Sequence, residues 1–364
     1  MNNGLDLAHY LNAGAERLIH DILRTTFKNP RETAFWLRFR EQESRSARKR
    51  LVHEEAGHHI PPFLIASITS ACNLYCKGCY ARANGLCGSA SAQDHLTSGQ
   101  WDRIFTEAGE LGISFILLAG GEPMLRKDVL DAAAGHKNIL FPIFTNGTLL
   151  DAPLLALLDR HRNLVPVVSL EGDEEATDNR RGTGTYALLQ KSLASMVQKK
   201  LLFGASITVT TENIEKVTSP GFIEDLYNKG CRVVFFIEYV PAAPHTEGLA
   251  PGDAERSLLE KRQQLLRESY PGMLFLSFPG DEKEMGGCLA AGRGFFHINP
   301  TGGAEPCPFS PYSQTNVKDH TLLEVLDSPF FQKIREANLQ EGEHRGGCTL
   351  FEKEDQVRAL LFPQ

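Results

Sequence analysis

The chain has 364 residues, of which 42% are hydrophobic, and it carries 38 basic against 45 acidic side chains. This length and composition allow a sizeable core, as in an α/β barrel with additions. The net charge of −7, without a large block of one sign, argues against an obligatory nucleic-acid partner, because phosphate contacts need concentrated Lys and Arg.

Eight cysteines raise the question of the compartment. The N-terminus lacks a basic segment followed by an apolar signal core, and no apolar run is long enough to cross a membrane. We therefore expect a cytoplasmic protein without a membrane partner. In a reducing compartment, clustered cysteines are more often metal ligands than disulfides.

The first 60 residues predict a helical extension. An apolar stripe at helical spacing predicts an amphipathic helix over residues 5–26, and Pro30 suits the first turn of a second helix ending near residue 56. The stripe consists of Leu7, Leu11, Ala15, Leu18 and Ile22. Such a stripe usually packs against a core, although it can also dock a partner.

Strands and helices alternate from residue 61 to about residue 245. The apolar runs that predict strands are residues 63–69, 115–119, 139–145, 164–170, 205–210 and 233–240. Almost wholly apolar strands are typical of a parallel sheet covered on both faces. We therefore predict an α/β fold with right-handed crossovers, whose functional residues follow the carboxyl ends of the strands.

The loop after the first predicted strand carries the densest group of potential metal ligands. Cys72, Cys76 and Cys79 have C-x3-C-x2-C spacing within the segment SACNLYCKGCY, residues 70–80. Thiolates select zinc or iron–sulfur clusters, and a structural zinc site needs four ligands, usually as two separated pairs. Three thiolates on a cubane cluster leave one iron open to a small molecule. A partial zinc site and three unrelated thiols are the alternatives.

Polar or glycine-bearing loops follow the later strands. After the second strand, Gly120 and Gly121 admit a ligand close to the backbone, and Glu122 before Pro123 can accept a hydrogen bond from an ammonium group. A simple turn with a capping acid is the alternative. Asn146, Ser169 and Glu171 lie at the ends of the third and fourth strands, and the fifth strand carries Thr208.

Glu238 ends the sixth predicted strand. Period-two alternation places it on one face with Val234 and Phe236, and that face could be the barrel interior. An inward carboxylate there is a candidate catalytic proton acceptor. A hydrogen bond to a cofactor or to an arginine is the alternative.

Three more cysteines lie in residues 246–364: Cys288, Cys307 and Cys348. Residues 295–305 predict a β-hairpin around an Asn-Pro-Thr-Gly-Gly turn, which would bring the first two of these cysteines towards a shared site. A predicted helix over residues 322–337 lies between the second and the third. A second iron–sulfur cluster, one zinc ion and three unrelated thiols all fit this pattern.

Cys87 and Cys231 lack cluster spacing. Buried or incidental cysteine is the default prediction for both, because free cysteine behaves as a small hydrophobic residue. Cys87 lies shortly after the main cysteine loop and stays a minor alternative ligand.

Taken together, these motifs resemble the radical S-adenosylmethionine (SAM) superfamily with a C-terminal extension similar to SPASM or to its shorter form, twitch. The resemblance implies a partial (β/α)6 TIM-like barrel over residues 61–245. A helical extension of residues 1–60 precedes it, and a linker with a hairpin-plus-helix auxiliary domain, residues 246–364, follows it. In this family the open iron of a [4Fe–4S] cluster chelates SAM, and an electron from the cluster yields a 5′-deoxyadenosyl radical that abstracts hydrogen from the substrate.

The resemblance also implies roles for individual residues. Cys72, Cys76 and Cys79 would hold the SAM-binding cluster. A second, auxiliary [4Fe–4S] cluster would be held by Cys288, Cys307 and Cys348, with a substrate atom, water, His344 or a distant cysteine as its fourth ligand. The implied SAM-binding residues are Gly120, Gly121, Glu122, Pro123, Asn146, Ser169, Glu171 and Thr208. Glu171 stands where the family commonly has Asp.

Members of this family with such an extension often modify ribosomally made peptides or protein side chains, which makes a peptide the first substrate expectation. A dehydrogenase or cyclase acting on a small natural-product or cofactor precursor is the alternative. A non-catalytic iron–sulfur electron carrier is a third possibility, against which the implied SAM site argues. The resemblance also implies an external reductant such as ferredoxin or flavodoxin.

Overall fold

The computed structural model describes residues 7–26, 29–85, 87, 94–340 and 348–361. Its strands are β1 (Phe63–Ser67), β2 (Phe115–Ala119), β3 (Phe141–Thr145), β4 (Leu164–Ser169), β5 (Gly204–Val209), β6 (Val233–Glu238), β7 (Leu274–Phe278), β8 (His297–Ile298), β9 (Gly303–Glu305) and β10 (Thr315–Asn316). They form one sheet in the order β10–β9–β8–β1–β2–β3–β4–β5–β6–β7.

The helices are α1 (Leu7–Thr26), α2 (Pro30–Glu55), α3 (Tyr80–Ala83), α4 (Ser98–Leu111), α5 (Lys127–Gly135), α6 (Ala152–Arg160), α7 (Glu174–Arg181), α8 (Thr185–Gln198), α9 (Ile214–Val217), α10 (Pro220–Asn228), α11 (Asp253–Ser269), α12 (Leu322–Leu326), α13 (Pro329–Glu336), α14 (Thr349–Glu352) and α15 (Glu354–Leu361). Short 3₁₀ helices cover Pro123–Leu125, Glu247–Leu249 and Gly280–Met285. None of the described helices has the length and apolarity that a membrane crossing requires.

Strands β1 to β7 lie side by side in chain order and all run parallel, with helices crossing between them. The alternating pattern predicts these parallel strands with crossover helices, and the family resemblance implies their arrangement as a partial barrel. β7 is an addition, because only six parallel strands were predicted. It pairs with β6 within a stretch whose many Pro, Gly and charged residues hide the short apolar run.

The N-terminal helices close the amino end of the barrel. Ile19 of α1 and Phe39 of α2 are buried in a cluster with Phe115 and Val165, which lie at the starts of β2 and β4. The rings of Phe39 and Phe115 meet edge to face, with centroids 5.7 Å apart. The apolar stripe of the extension therefore packs against the barrel core, as predicted.

The C-terminal hairpin extends the barrel sheet on the side of β1. β8 pairs in parallel with β1, and β9 pairs antiparallel with β8, so the predicted hairpin is present. A buried chain of polar contacts links the two parts: His297 lies 2.8 Å from Ser67 Oγ through Nε2 and 2.7 Å from Glu305 Oε2 through Nδ1. The hairpin is thereby attached to the strand from which the cysteine loop emerges.

Replacing Phe39 by alanine tests whether the extension belongs to the core. The ring is 1% exposed, so we expect Phe39→Ala to lower the free energy of unfolding by about 3–5 kcal/mol through lost burial and a cavity. Urea unfolding followed by circular dichroism measures the change. Leu37→Ala on the same helix is the control. Because Leu37 is 50% exposed, this substitution should change the free energy of unfolding by less than about 0.5 kcal/mol. Equal stability of the two variants would show that α2 does not seal the barrel.

Candidate active site

The predicted cysteine loop leaves the carboxyl end of β1 and borders a cavity of about 490 Å³ inside the barrel. Cys72, Cys76 and Cys79 all line this cavity, and each is half-buried with a free thiol. α3 begins directly after Cys79 and ends the loop. The structure thus brings together the three thiols that the motif spacing singles out.

The donor chemistry of this loop fits an iron–sulfur cluster. Three soft sulfur donors border one cavity, and thiolates are the ligands that such clusters use. In the part of the chain that the structure describes, no group of three His, Cys, Asp or Glu side chains is arranged to hold a metal ion. A [4Fe–4S] cluster spans more space than one ion, and a donor set spread around a cavity suits it.

A fourth thiol lies beside the loop. Cys87 is buried, lines the same cavity and hydrogen-bonds with Cys72, which lowers the pKa of the Cys72 thiol to about 6. The same contact raises the pKa of Cys87. The sequence places Cys87 outside the cluster spacing, so its nearness to Cys72 is visible only in the fold.

Two glycines bring the loop after β2 against the cysteine loop. Gly120 has a φ of 128°, and a methyl group on it would collide with the carbonyl oxygen of Thr69. A methyl group on Gly121 would collide with the carbonyl oxygen of Ala71. The Gly121 N–H donates to the Thr69 carbonyl at 2.7 Å, and the Glu122 N–H donates to the Ala71 carbonyl at 2.8 Å. Only glycine permits this approach, and both glycines line the cavity.

Glu122 lies behind the loop rather than among the residues that line the cavity. Its carboxylate is 1% exposed and accepts hydrogen bonds from Thr145 Oγ1 at 2.7 Å and from the backbone N–H groups of Asn146 at 2.7 Å and Met124 at 3.0 Å. Burial raises the pKa of Glu122 to about 7. Glu122 therefore ties the loops after β2 and β3 together, and Pro123 begins the 3₁₀ helix that follows.

Asn146 is the part of the β3 loop that reaches the cavity. Its Nδ2 donates to Asn73 Oδ1 at 2.8 Å, and its Oδ1 accepts from the Thr148 N–H at 2.9 Å. Because Asn73 directly follows Cys72, this amide pair links the third strand's loop to the cysteine loop.

Glu171 lies behind two arginines. Its Oε1 accepts from Arg180 Nη1 at 2.5 Å and from Arg181 Nε at 2.8 Å, and Arg180 Nη1 also donates to Thr208 Oγ1 at 2.8 Å. Both arginines line the cavity together with Ser169 and Thr208, whereas Glu171 does not. From the sequence, either arginine could bind a carboxylate or lie on the surface, so neither was included in the predicted site.

Glu238 borders the cavity, but the strand face predicted for it is wrong. On β6, Phe235 and Ile237 line the interior, while Phe236 packs on the other face against Phe275, with ring centroids 6.4 Å apart. Glu238 is the last residue of β6 and pairs with Val209, the last residue of β5. The carboxyl group reaches the cavity from that end.

Three buried oxygens at the ends of β6 and β7 have no hydrogen-bond partner among the described residues: Glu238 Oε2, Tyr239 Oη and Ser277 Oγ. All three residues line the cavity, and burial raises the pKa of Glu238 to about 7. Buried polar groups are nearly always hydrogen-bonded, so this wall is suited to a bound molecule. Ser277 was missed because β7 was not predicted.

The three C-terminal cysteines form a second, fully buried site. Cys288 follows the 3₁₀ helix Gly280–Met285, Cys307 follows β9 and Cys348 precedes α14. A hydrogen bond from the Cys307 thiol lowers the pKa of Cys348, while burial raises the pKa of Cys288 and Cys307. These buried sulfur donors fit an auxiliary cluster. His344, one predicted fourth ligand, lies outside the described residues.

The two cysteine sites are joined by direct contacts. The ring of Tyr80, next to Cys79, lies 4.8 Å from that of Phe309, two residues after Cys307. Asn84 Nδ2 donates to the Pro308 carbonyl at 3.1 Å. The C-terminal site therefore packs directly on the helix that ends the cysteine loop.

Comparison with known proteins agrees with this architecture. The radical SAM superfamily model matches residues 66–218, and the model of the iron–sulfur cluster-binding domain SPASM matches residues 288–349. An AdoMet-dependent heme synthase of Methanosarcina barkeri is 26% identical over 323 residues, covering 80% of this chain and 88% of the relative. A PqqA peptide cyclase of Granulibacter bethesdensis is 27% identical over 300 residues, covering 76% of each chain.

Among solved structures, Streptococcus suis SuiB bound to its precursor peptide SuiA superposes with a TM-score of 0.64 at 20% identity, covering 80% of this chain and 71% of SuiB. That similarity reflects a shared fold. The two family models show that the chain carries a radical SAM domain followed by a C-terminal SPASM domain, and is therefore an enzyme of the radical SAM type.

Proposed function

We propose that this enzyme uses SAM radical chemistry to modify a ribosomally made peptide or a protein side chain. The PqqA peptide cyclase and SuiB, which binds a precursor peptide, support a peptide substrate. The observation that carries the proposal is the wall of unpartnered oxygens formed by Glu238, Tyr239 and Ser277. Hydrogen-bond acceptors at such a wall match the N–H donors of a peptide.

We assign the cofactor residues as follows. Cys72, Cys76 and Cys79 would hold the [4Fe–4S] cluster, which when bound supplies the electron that cleaves SAM to the 5′-deoxyadenosyl radical. The residues proposed to bind SAM from the cavity wall are Gly120, Gly121, Asn146, Ser169 and Thr208. Glu122, Pro123 and Glu171 would act from behind, by holding the loops that carry these residues.

The proposed role of Glu238 is to accept the proton that leaves the substrate after a hydrogen atom has gone to the 5′-deoxyadenosyl radical, with the remaining electron passing to an iron–sulfur cluster that the C-terminal cysteines would hold. Its carboxyl group is buried at the cavity, and a pKa near 7 suits a proton acceptor at neutral pH. We also propose that a ferredoxin or flavodoxin delivers the reducing electron. The proposed compartment is the cytoplasm, because a reducing compartment keeps the cluster thiols available.

A small-molecule substrate is the second candidate. The AdoMet-dependent heme synthase matches this chain over 80% of its length, which favours a tetrapyrrole or a related precursor. Against it, an anionic tetrapyrrole would meet the carboxyl groups of Glu238, Asp281 and Glu282 at the cavity.

Incubation with SAM, dithionite and candidate substrates separates these proposals. The anaerobically reconstituted protein would be given either a library of short synthetic peptides or an iron porphyrin, and the products would be analysed by mass spectrometry. We expect 5′-deoxyadenosine and a modified peptide. Conversion of the porphyrin alone would favour the second candidate, and no 5′-deoxyadenosine with either substrate would favour an electron carrier.

Removing each cysteine triad in turn tests the metal assignment. Two cubane clusters give about eight irons per chain, so replacing Cys72, Cys76 and Cys79 by alanine should leave about four and abolish the change in absorption on adding SAM. Replacing Cys288, Cys307 and Cys348 should also leave about four irons but retain that change.

The control for both triads is Cys231→Ser, because Cys231 is buried outside both sites and should leave iron content unaltered. Full iron content after loss of the first triad would contradict the assignment. Iron analysis and absorption spectroscopy provide both readings.

Glu238→Gln tests the proton acceptor. We expect product formation to fall by about 10²–10⁴-fold while 5′-deoxyadenosine still forms, because radical generation does not need this carboxylate. In the natural enzyme, product formation should rise with pH through about 7, as Glu238 loses its proton, and this rise should vanish in the variant. Glu260→Gln on the exposed side of α11 is the control. An unchanged pH profile in Glu238→Gln would rule out the role.

A further inference from the structure

Glu238 borders the cavity without a cation of its own in the part of the chain that the structure describes. The residue is 3% exposed, its carboxyl group forms no ion pair with a described side chain, and its Oε2 has no hydrogen-bond partner there. Arg256, whose charge acts on this carboxyl group, pairs instead with Asp253 and donates to the Pro251 carbonyl at 2.9 Å. An unpaired buried carboxylate is costly, so this group is suited to an external cation.

Asp281 shows what a compensated acid looks like in the same region of the cavity. Its carboxylate accepts hydrogen bonds from the Ser277 N–H at 2.7 Å and from Arg267 Nη2 at 3.0 Å. These partners come from the chain itself. The contrast singles out Glu238 as the carboxyl group here whose partner would come from a bound molecule.

The hydroxyl group of Ser277 lies beside the Glu238 carboxyl group. Ser277 is on β7, and its Oγ is buried without a partner among the described residues. A Cβ on Gly280 would lie 2.6 Å from Ser277 Oγ and 3.4 Å from Glu238 Oε1. Both oxygens therefore converge on one place, and residue 280 contributes no side chain to fill it. A donor group with several N–H bonds can reach both oxygens.

Apolar side chains of the same two strands line the cavity next to these oxygens. Phe235 and Ile237 belong to β6, and Leu276 and Phe278 belong to β7. Lysine and arginine carry an apolar stem behind the charged end, and such stems pack along apolar surface. A main-chain amide has no stem of this kind. The wall therefore matches a long basic side chain better than it matches a peptide backbone.

This part of the wall continues to the cysteine loop. Tyr239 follows Glu238, and a methyl group on Gly78 would collide with the Tyr239 hydroxyl oxygen. Gly78 directly precedes Cys79. The residues proposed to bind SAM belong to β2 to β5 and the loops after them, so the end of β6 and β7 is left for the substrate. A group bound there lies next to the loop that would carry the cluster.

We propose that Glu238 and Ser277 bind the charged end of a lysine or arginine side chain of the peptide substrate. The inference rests on the proposed function, because it names the class of side chain that the same cavity selects. The basic group donates hydrogen bonds to both oxygens, and its charge compensates the Glu238 carboxylate. A carboxylate paired in this way is ionised, which is also the form that accepts a proton in the proposed reaction.

Two sets of labelled synthetic peptides test this inference on the SAM-loaded holoenzyme. Each peptide of the first set carries one lysine or arginine. In the second set norleucine replaces the basic residue, which keeps an apolar stem and removes the charge. Fluorescence anisotropy measures the dissociation constants, and mass spectrometry identifies the peptides that the enzyme modifies. We expect the modified basic peptides to bind about 10–100-fold more tightly than their norleucine counterparts, as for a hydrogen bond to a charged group.

Three variants connect this preference to the proposed residues. Glu238→Gln should abolish it, and Ser277→Ala should lower it several-fold because one of the two acceptors is lost. Gly280→Ala should also lower it, because the added methyl group would displace the Ser277 hydroxyl. Gly248→Ala is the matched control, since Gly248 is exposed and an added Cβ would meet no atom within 4 Å. It should keep the preference of the natural protein.

The ratio of dissociation constants separates recognition from proton transfer, because a residue that only accepts a proton does not change it. Equal binding of basic and norleucine peptides by the natural protein would overturn the inference, while modification of those peptides would still support the proposed function. A preference that survives in both Glu238→Gln and Ser277→Ala would overturn it as well. If Gly280→Ala does not fold, those two variants decide. Conversion of a porphyrin but of no peptide would instead show that the proposed function itself fails.

Discussion

Backbone contact between two loops holds the site together. The carbonyl groups of Thr69 and Ala71 accept hydrogen bonds from Gly121 and Glu122, at a separation that leaves no room for a side chain on Gly120 or Gly121. These backbone contacts therefore fix the cysteine loop to the loop after the neighbouring strand β2. Preorganisation of this kind matters because the three thiols must meet one cluster at the same time.

The cavity beyond this contact has two unlike sides. Arg180 and Arg181 reach it from the end of α7, whereas Glu238, Asp281 and Glu282 reach it from the region of β6 and β7. The barrel brings these groups together because the carboxyl ends of parallel strands meet at one edge. One side thus suits an anionic group and the other suits hydrogen-bond donors, a polarity that could orient a cofactor and a substrate across the same space.

The sequence predicts those structural features whose patterns are local along the chain. The strands β1 to β6 and the cysteine and glycine loops are predictable because short apolar runs and motif spacing are local features. Contacts that depend on how a loop or a short helix folds back carry no such signal, as shown by Cys87 against Cys72 and by the arginines against Glu171.

The wrong face for Glu238 has a different cause. Alternation places Glu238 on the face of Phe236, yet from the last position of β6 its side chain lines the cavity together with Phe235 and Ile237. β7 was missed because its five residues lie among proline, glycine and charged residues that predict a linker. Because β7 was not predicted, Ser277 and the nearby Glu282 were not predicted to line the cavity. Much of the cavity wall opposite the arginines was therefore not predicted either.

The central claim is that the cysteine loop leaves one iron open to SAM, although Cys87 lies close enough to compete for that corner. Electron–nuclear double resonance of the reduced holoenzyme, with SAM labelled at its amino nitrogen and carboxylate carbon, measures this directly. The account predicts hyperfine coupling of both labels to the cluster, equal in the natural protein and in Cys87→Ala. Coupling that is absent from the natural protein and appears only in Cys87→Ala would contradict it, because a fourth thiolate would then occupy the site.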